Sequence, residues 1–298
     1  MLFHNANHPN ARSGPTGAVC TPVAYLHPSL SVAPVGRYTN TNVKMEVGMS
    51  ISSMFDVLSF AAQLRYNKRR GSVNGLSCDF ILLSLLARAL NIGTACTYKS
   101  QKAIDLFKLR YPLYPSPSVS FPVLTCDVMS VIVLICIHYQ MYMLYPHTRS
   151  INQCLSGTLI FYLLVACVLY FVLAYYAHHH YATLNFLDCL DYVWSLKIIF
   201  SAFELMPQLS LQWFELKSAG LSRGYFNFTC SQVLFFAISK FIQAQSSAPL
   251  WNNIPINFCP WITLPLHFIA IGIMGYQHVA YSRMGLLPTA IKSKYERR

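Results

Sequence analysis

Seven apolar runs, each about twenty residues long or longer, follow one another through most of this 298-residue sequence. A helix needs about 20 apolar residues to cross about 30 Å of hydrocarbon, so each run is long enough to span a membrane. The spans are predicted at residues 46–66, 76–98, 122–145, 155–177, 190–214, 223–243 and 259–281. Because 54% of the residues are hydrophobic and only 11% are charged, the sequence predicts an all-α polytopic membrane protein.

The distribution of basic residues predicts how the helices are oriented. The net charge of +12 could suggest nucleic acid, but most Lys and Arg residues lie in the connections between apolar runs, so no nucleic-acid partner is predicted. The side that carries the C-terminus has twelve of them and the opposite side has seven. Positive residues accumulate on the cytosolic side. We therefore expect a disordered luminal tail over residues 1–44 and a basic cytosolic tail over residues 282–298.

A short pattern occurs twice in the chain. Gln63 and Gln208 each lie late in an apolar run, and each is followed twelve residues later by Gly-Leu-Ser, at residues 75–77 and 220–222. Corresponding positions of the two copies are 145 residues apart, which indicates a duplicated unit. The seven-helix domain, residues 45–281, then divides into three parts: repeat one at 46–145, a linker helix at 155–177 and repeat two at 190–281.

This arrangement resembles the PQ-loop membrane proteins, the family that includes cystinosin and, more distantly, the SWEET sugar transporters and the KDEL receptors. Gln63, Asn67, the Gly-Leu-Ser tripeptide and Asp79-Phe80 look like the first cystinosin motif, and Pro207-Gln208 is the signature dipeptide of the second. The first copy has Ala62 in place of the proline. The resemblance implies seven transmembrane helices arranged as two parallel triple-helix bundles, which an inversion-linker helix joins, with a site near the midplane between them.

Charged residues inside the spans are candidates for that site, since an unpaired charge in hydrocarbon costs at least about 2.5 kcal/mol. Arg88 requires an acidic or carbonyl-rich partner, for which Asp56 or Glu204 would serve. A buried carboxylate of this kind could carry a proton, whereas the alternative interpretation is a structural ion pair that holds the bundles together. The predicted substrate and proton pathway comprises Gln63, Asn67, Asp79, Arg88, Lys197, Glu204, Gln208 and Lys240, while Asp127 is expected to reach the membrane interface.

The repeated motif also contains a proline and two glutamines whose roles can be predicted. Pro207 should kink its helix and leave a backbone carbonyl near residue 203 without its partner, so it is a candidate hinge or a static bend. Gln63 and Gln208 could bind a polar solute or only satisfy backbone groups. The ten cysteines show no CxxC spacing, so no metal or cofactor is predicted, and no catalytic constellation indicates an enzyme.

The resemblance favours an organellar transporter of a small polar, amino-acid-like solute, of the cystinosin-like kind that also moves a proton. The acidic position of the family's sixth helix is Asn227 here, so Glu204 or Asp79 would have to carry the proton. The alternatives are a cargo or retention receptor similar to the KDEL receptors and a non-transporting trafficking regulator. A lysosome- or vacuole-like membrane is expected first, then Golgi or ER, and Tyr281-Ser282-Arg283-Met284 resembles a signal for sorting adaptors.

Overall fold

The structure is a computed structural model that describes residues 35–112, 119–179, 184–216, 220–245 and 263–285. Regular secondary structure in these ranges is entirely helical, without a strand. The tail that was predicted for residues 1–44 lies outside the described residues up to residue 34. The predicted C-terminal tail lies outside them beyond residue 285.

Nine α-helices make up the described part of the chain. They are α1 (Val35–Arg70), α2 (Cys78–Tyr98), α3 (Gln101–Arg110), α4 (Phe121–Tyr139), α5 (Gly157–His178), α6 (Phe186–Phe203), α7 (Met206–Glu215), α8 (Arg223–Gln245) and α9 (Thr263–Gly285). A short π-helical segment, Gln140–Leu144, continues α4.

Four helical segments of the described ranges are long and apolar enough to cross a membrane: Glu46–Arg70, Cys78–Tyr98, Phe121–Leu144 and Ile151–His178. The last of them is the most apolar, with a mean hydropathy of 2.5, and its large side chains lie on the outside of the protein. Phe161 and Phe171 on α5 are 63% and 70% exposed. A helix that is apolar all round and exposed is typical of contact with lipid, so the fold is that of a helical membrane protein.

Two helices extend beyond the predicted spans. α1 begins at Val35 instead of near residue 46, so residues 35–44 are helical and do not belong to a disordered tail. α9 continues to Gly285, and the proposed sorting signal therefore lies in its last turns. Tyr281 is buried. The tyrosine of this motif is therefore part of a packed helix.

The ends of the helices follow from local sequence signals. α1 ends at three basic residues, which suit the negative end of its dipole, and Gly71 then adopts a φ of +60°. Ser77 begins α2 by accepting a hydrogen bond from the N–H of Phe80, and Ser222 does the same for α8 with the N–H of Tyr225. The serine of each Gly-Leu-Ser is therefore the N-cap of the helix that follows it.

The fifth predicted span is interrupted at Glu204 and Leu205. α6 ends at Phe203, and α7 begins at Met206 with Pro207 in its first turn. Proline has no N–H to donate to the preceding turn, which accounts for the break. The predicted kink is thus confirmed. The equivalent Ala62 lies inside the continuous helix α1, as expected for a residue that keeps its N–H.

The long helices pack in pairs whose members are far apart in the sequence. α1 packs along α8, α2 packs along α6, and α4 packs against both α1 and α2. The main hydrophobic core forms where the helix ends approach each other, and it includes Phe60, Leu76, Phe80, Leu221 and Tyr225. We call this end of the protein the loop end, because residues 71–77, 145–156 and 220–222 lie there.

α3 is a short amphipathic helix that the pattern of apolar runs does not predict. Ser100 caps it, and Ala103 and Phe107 bury one face of it against the start of α6. On the same surface, Arg110 forms an ion pair with Asp188 at 2.9 Å. The spacing of residues 103 and 107 is a helical signal, but ten residues are too few to stand out beside the long apolar runs.

Candidate functional site

The side chain of Gln63 binds the backbone of the other Gly-Leu-Ser. Its Nε2 donates to the carbonyl oxygen of Gly220 over 2.9 Å, and its Oε1 accepts from the N–H of Ser222 over 2.9 Å. The same Nε2 donates to Oδ1 of Asn67, one turn further along α1, over 2.8 Å. Gln63 is fully buried, so its amide replaces a peptide group as partner for this loop.

Gln208 makes the reciprocal contact. Its Nε2 donates to the carbonyl oxygen of Gly75 over 2.8 Å, and its Oε1 accepts from the N–H of Ser77 over 2.8 Å. Each glutamine therefore binds the Gly-Leu-Ser of the opposite copy through the same two backbone groups. We call this arrangement the glutamine clamp: Gln63 with Gly220 and Ser222, and Gln208 with Gly75 and Ser77.

The clamp brings two glycine backbones into direct contact. A Cβ on Gly220 would overlap the carbonyl group of Gly75 and lie 2.7 Å from its Cα. Gly75 itself has a φ of +85°, which side chains disfavour. Between the two interpretations of the glutamines, the geometry favours backbone satisfaction, because both ends of each amide are already hydrogen-bonded inside the protein.

Replacing Gln208 by Leu should destabilise the protein by about 2–4 kcal/mol, because Gly75 and Ser77 would keep buried backbone groups without partners. The matched control is Gln212→Leu, one turn further along α7. Gln212 is also buried, but its amide oxygen has no hydrogen-bond partner among the described residues. Unfolding of the purified protein in a denaturing-detergent titration measures both variants. Equal destabilisation by the two would contradict the clamp.

A buried ion triad lies two helical turns from the clamp along α1. Nη2 and Nε of Arg88 donate to the two carboxylate oxygens of Asp56, over 2.6 and 3.0 Å. Nη1 of Arg88 donates to Oε2 of Glu204, and Nη2 reaches its Oε1 at 3.4 Å. Asp56, Arg88 and Glu204 are 5–7% exposed. Both predicted partners thus bind Arg88 at once.

The surroundings of Arg88 complete its coordination. Nη1 also donates to the carbonyl oxygen of Ser84, and the guanidinium carbon lies 5.0 Å from the centre of the Phe60 ring. Ser130 of α4 donates to Oδ2 of Asp56 over 3.1 Å. Arg88 supplies five N–H groups in a fixed fork, so two carboxylates and a carbonyl can share it. The triad joins α1, α2, α4 and the break between α6 and α7.

Lys197, Asp127 and Lys240 form a third polar layer, two turns beyond Glu204 along α6. Lys197 is half-buried and interacts electrostatically with Asp127 and Lys240. Asp127 is half-buried and accepts a hydrogen bond from Asn91 over 2.5 Å. Lys240 lies 5.5 Å from the centre of the Phe236 ring.

The remaining predicted pathway residues lie at the loop end. Asp79, in the first turn of α2, accepts a hydrogen bond from the N–H of Ser156 over 3.0 Å and so binds the start of α5. Asn67 accepts a hydrogen bond from Gln63 of the clamp, and its Nδ2 has no hydrogen-bond partner among the described residues. The structure therefore divides the candidates among a loop-end group, the triad and the layer of Lys197 and Lys240, and it places Asp79 in the loop-end group.

Sequence reasoning missed Ser130 and Gln153. Nε2 of Gln153 donates to the carbonyl oxygens of Val73 and Leu76, which supports the first Gly-Leu-Ser from the side. A single serine in an apolar helix and a glutamine in a connection carry no spacing signal. Only the folded arrangement identifies their partners.

Comparison with known proteins identifies a distant relative but no family. No known family model matches the chain. The chain is similar to an uncharacterized protein of Saccharomyces cerevisiae, YCL002C, with 26% identity over 263 residues. The match covers 82% of this chain and 97% of the yeast protein. The name of the yeast protein describes no activity, so the likeness extends over most of both chains without assigning a function.

Proposed function

We propose that the chain is a seven-helix protein of the PQ-loop type that transports a small polar, amino-acid-like solute together with a proton. Two parallel triple-helix bundles, α1, α2 and α4 in one and α6–α7, α8 and α9 in the other, would alternate between facing the cytosol and facing the lumen. α5 would be the linker that inverts the chain between them. The loop end would face the cytosol, and the membrane would be lysosomal or vacuolar, with Golgi or ER next.

The reciprocal contacts support a pair of equivalent bundles. Gln63 on α1 and Gln208 on α7 are 145 residues apart, and so are the two loops that they bind. A duplicated unit produces this pairing. α8 and α9 each have 23 residues, and helices of that length extend about 35 Å, enough to cross the hydrocarbon. With α6 and α7 counted as one broken span, seven crossings result.

The observation that carries the proposal is the ion triad, since it joins the two repeats through charges. Asp56 and Arg88 belong to repeat one, and Glu204 belongs to repeat two. Two carboxylates share one guanidinium, so one of them can take up a proton while Arg88 keeps the other as its counter-ion. Protonation of Glu204 would weaken the link between the repeats, which couples a proton to their separation.

The neighbourhood of Glu204 fits such a movement. Glu204 itself lies in the helix break, and Pro207 follows within one turn, so a change of the angle between α6 and α7 would be localised at this point. Lys197 on α6 and Asp127 on α4 interact electrostatically with the triad, and Lys240 on α8 interacts with Lys197. They offer a solute both signs of charge, as a zwitterionic amino acid would require.

The test is uptake of labelled amino acids and sugars into liposomes that contain the purified protein and carry an imposed pH gradient. We expect one solute to accumulate with the gradient, and we expect Glu204→Gln to abolish this coupling. The variant keeps the Arg88 and Asp56 pair, so it should still fold. Glu215→Gln on α7 is the matched control, because its amide oxygen can still accept the hydrogen bond from Ser150.

Folded protein that accumulates none of these solutes would contradict the transporter. The cargo receptor and the trafficking regulator would then be the functions to test, starting with binding of peptides. Gradient-driven uptake that survives Glu204→Gln would keep the transporter but exclude Glu204 as the proton carrier.

A further inference from the structure

A cavity of about 530 Å³ opens at the loop end, between α1, the start of α8 and α9. Arg65, Tyr66 and Arg69 line it from the last two turns of α1, Arg223 from the first turn of α8 and His278 from α9. Arg65 and Arg69 are four residues apart, so they lie on one face of the helix. The cavity is separate from the ion triad, and it contains none of the residues that form it.

The charged residues that line the cavity are all basic. Arg65, Arg69 and Arg223 form no ion pair within the described part of the chain, and no Asp or Glu lines the cavity. Arg65, Arg69 and Arg223 are exposed, and their like charges give this opening a positive potential that attracts anions. The N-terminal end of α8 adds a positive dipole on the same side. The ligand should therefore carry more than one negative charge, and arginines suit phosphate groups in particular.

A second cavity of about 200 Å³ adjoins the first and shares Arg223 and His278 with it. Gln212 lines this second cavity, and its buried amide oxygen has no hydrogen-bond partner among the described residues. A buried acceptor without a partner requires a donor from outside, such as a hydroxyl group. The combined site thus offers cations for phosphates and an acceptor for a hydroxyl.

The position of the site along the helices favours a lipid head group over a soluble ligand. Arg65 and Arg69 lie at the end of the membrane-spanning segment Glu46–Arg70, which is the level of lipid head groups. Basic pockets between helices on the cytosolic side are suited to anionic lipid head groups. We propose that this pocket binds the head group of a phosphorylated inositol lipid, with the arginines on its phosphates and Gln212 on a ring hydroxyl.

The site is tested on the full-length protein in nanodiscs made only of zwitterionic lipid, by measuring binding of soluble inositol trisphosphate as the head-group probe. Arg69→Gln should weaken binding about tenfold, as expected for the loss of one charge-assisted contact. Lys68→Gln removes the same charge from the neighbouring, exposed residue outside the pocket, and it should change the affinity by less than about twofold. Gln212→Leu should also weaken binding of the inositol probe.

Equal weakening by Arg69→Gln and Lys68→Gln would overturn the proposal, because it would indicate only general attraction to a basic surface. Inorganic phosphate that binds as tightly as the inositol probe would overturn the lipid ligand and assign a free anion instead. No binding of the probe by folded protein would also overturn it. Solute uptake is a separate readout, so failure of this site and failure of the transport proposal are distinguishable.

Discussion

Replacement of Arg88 by Met is expected to destabilise the protein by about 3–5 kcal/mol, a larger loss than we expect for Gln208→Leu. Met keeps an unbranched apolar stem but lacks the guanidinium, so Asp56 and Glu204 stay close together, buried and without a cation. A buried carboxylate that loses its partner keeps the full cost of its desolvation. The measurement is the free energy of unfolding in a denaturing-detergent titration, with the yield of monodisperse protein as a second readout.

A triple variant separates the loss of charge balance from the loss of packing. Arg88→Met combined with Asp56→Asn and Glu204→Gln removes all three charges while the two amides keep the shape of the carboxylates, and it should recover most of the stability, to within about 1–2 kcal/mol of the unmodified protein. It should nevertheless show no proton-driven uptake. A triple variant as unstable as Arg88→Met alone would mean that the packing of Arg88 against Phe60 matters more than its charge.

Gly220→Ala should be nearly as damaging, with a loss of at least about 3 kcal/mol. The added methyl group would overlap the carbonyl of Gly75, which is backbone and cannot rotate away. To make room, the two loops must separate, and both halves of the glutamine clamp would lengthen together. Thermal unfolding of the detergent-purified protein, followed by tryptophan fluorescence, measures the loss.

Gly93→Ala is the matched control for this substitution. Gly93 lies inside α2, and a Cβ there meets no atom within 4 Å. Alanine favours a helix over glycine by about 1 kcal/mol, so this variant should be as stable as the unmodified protein or slightly more stable. A Gly220→Ala variant that unfolds at the same temperature as Gly93→Ala would show that the two loops are not in close contact.

Much of the helical pattern could be predicted because length and apolarity are local properties. Each predicted span is helical in the described ranges, and the break before Pro207 follows from the missing N–H of that residue. The start of α1 at Val35 could not be predicted in this way, since residues 35–44 are polar and carry no apolar run. α3 was not predicted either, because a ten-residue amphipathic helix is stabilised mainly by packing against the surface that it covers.

The site was predictable in its residues but not in its connections. The cost of a charge in hydrocarbon singles out Arg88, and Asp56 and Glu204 are two of the few acidic residues in the spans that could serve as its partner. Whether both carboxylates bind Arg88 at once depends on how α2 packs against α6, and the periodicity of the sequence does not determine this packing. The sequence likewise shows the motif that contains Gln63 and Gln208, but it does not show that each glutamine binds the Gly-Leu-Ser of the other copy.

The crossing of the glutamine clamp bears on how such a chain could have arisen. A polypeptide with only one copy would contain one glutamine and one Gly-Leu-Ser, yet here neither glutamine binds the tripeptide that follows it. Two such polypeptides, side by side about a two-fold axis, would satisfy each other through the same four contacts. The exchanged contacts are those expected of two fused copies, and we expect separately expressed halves of the chain to need each other to fold.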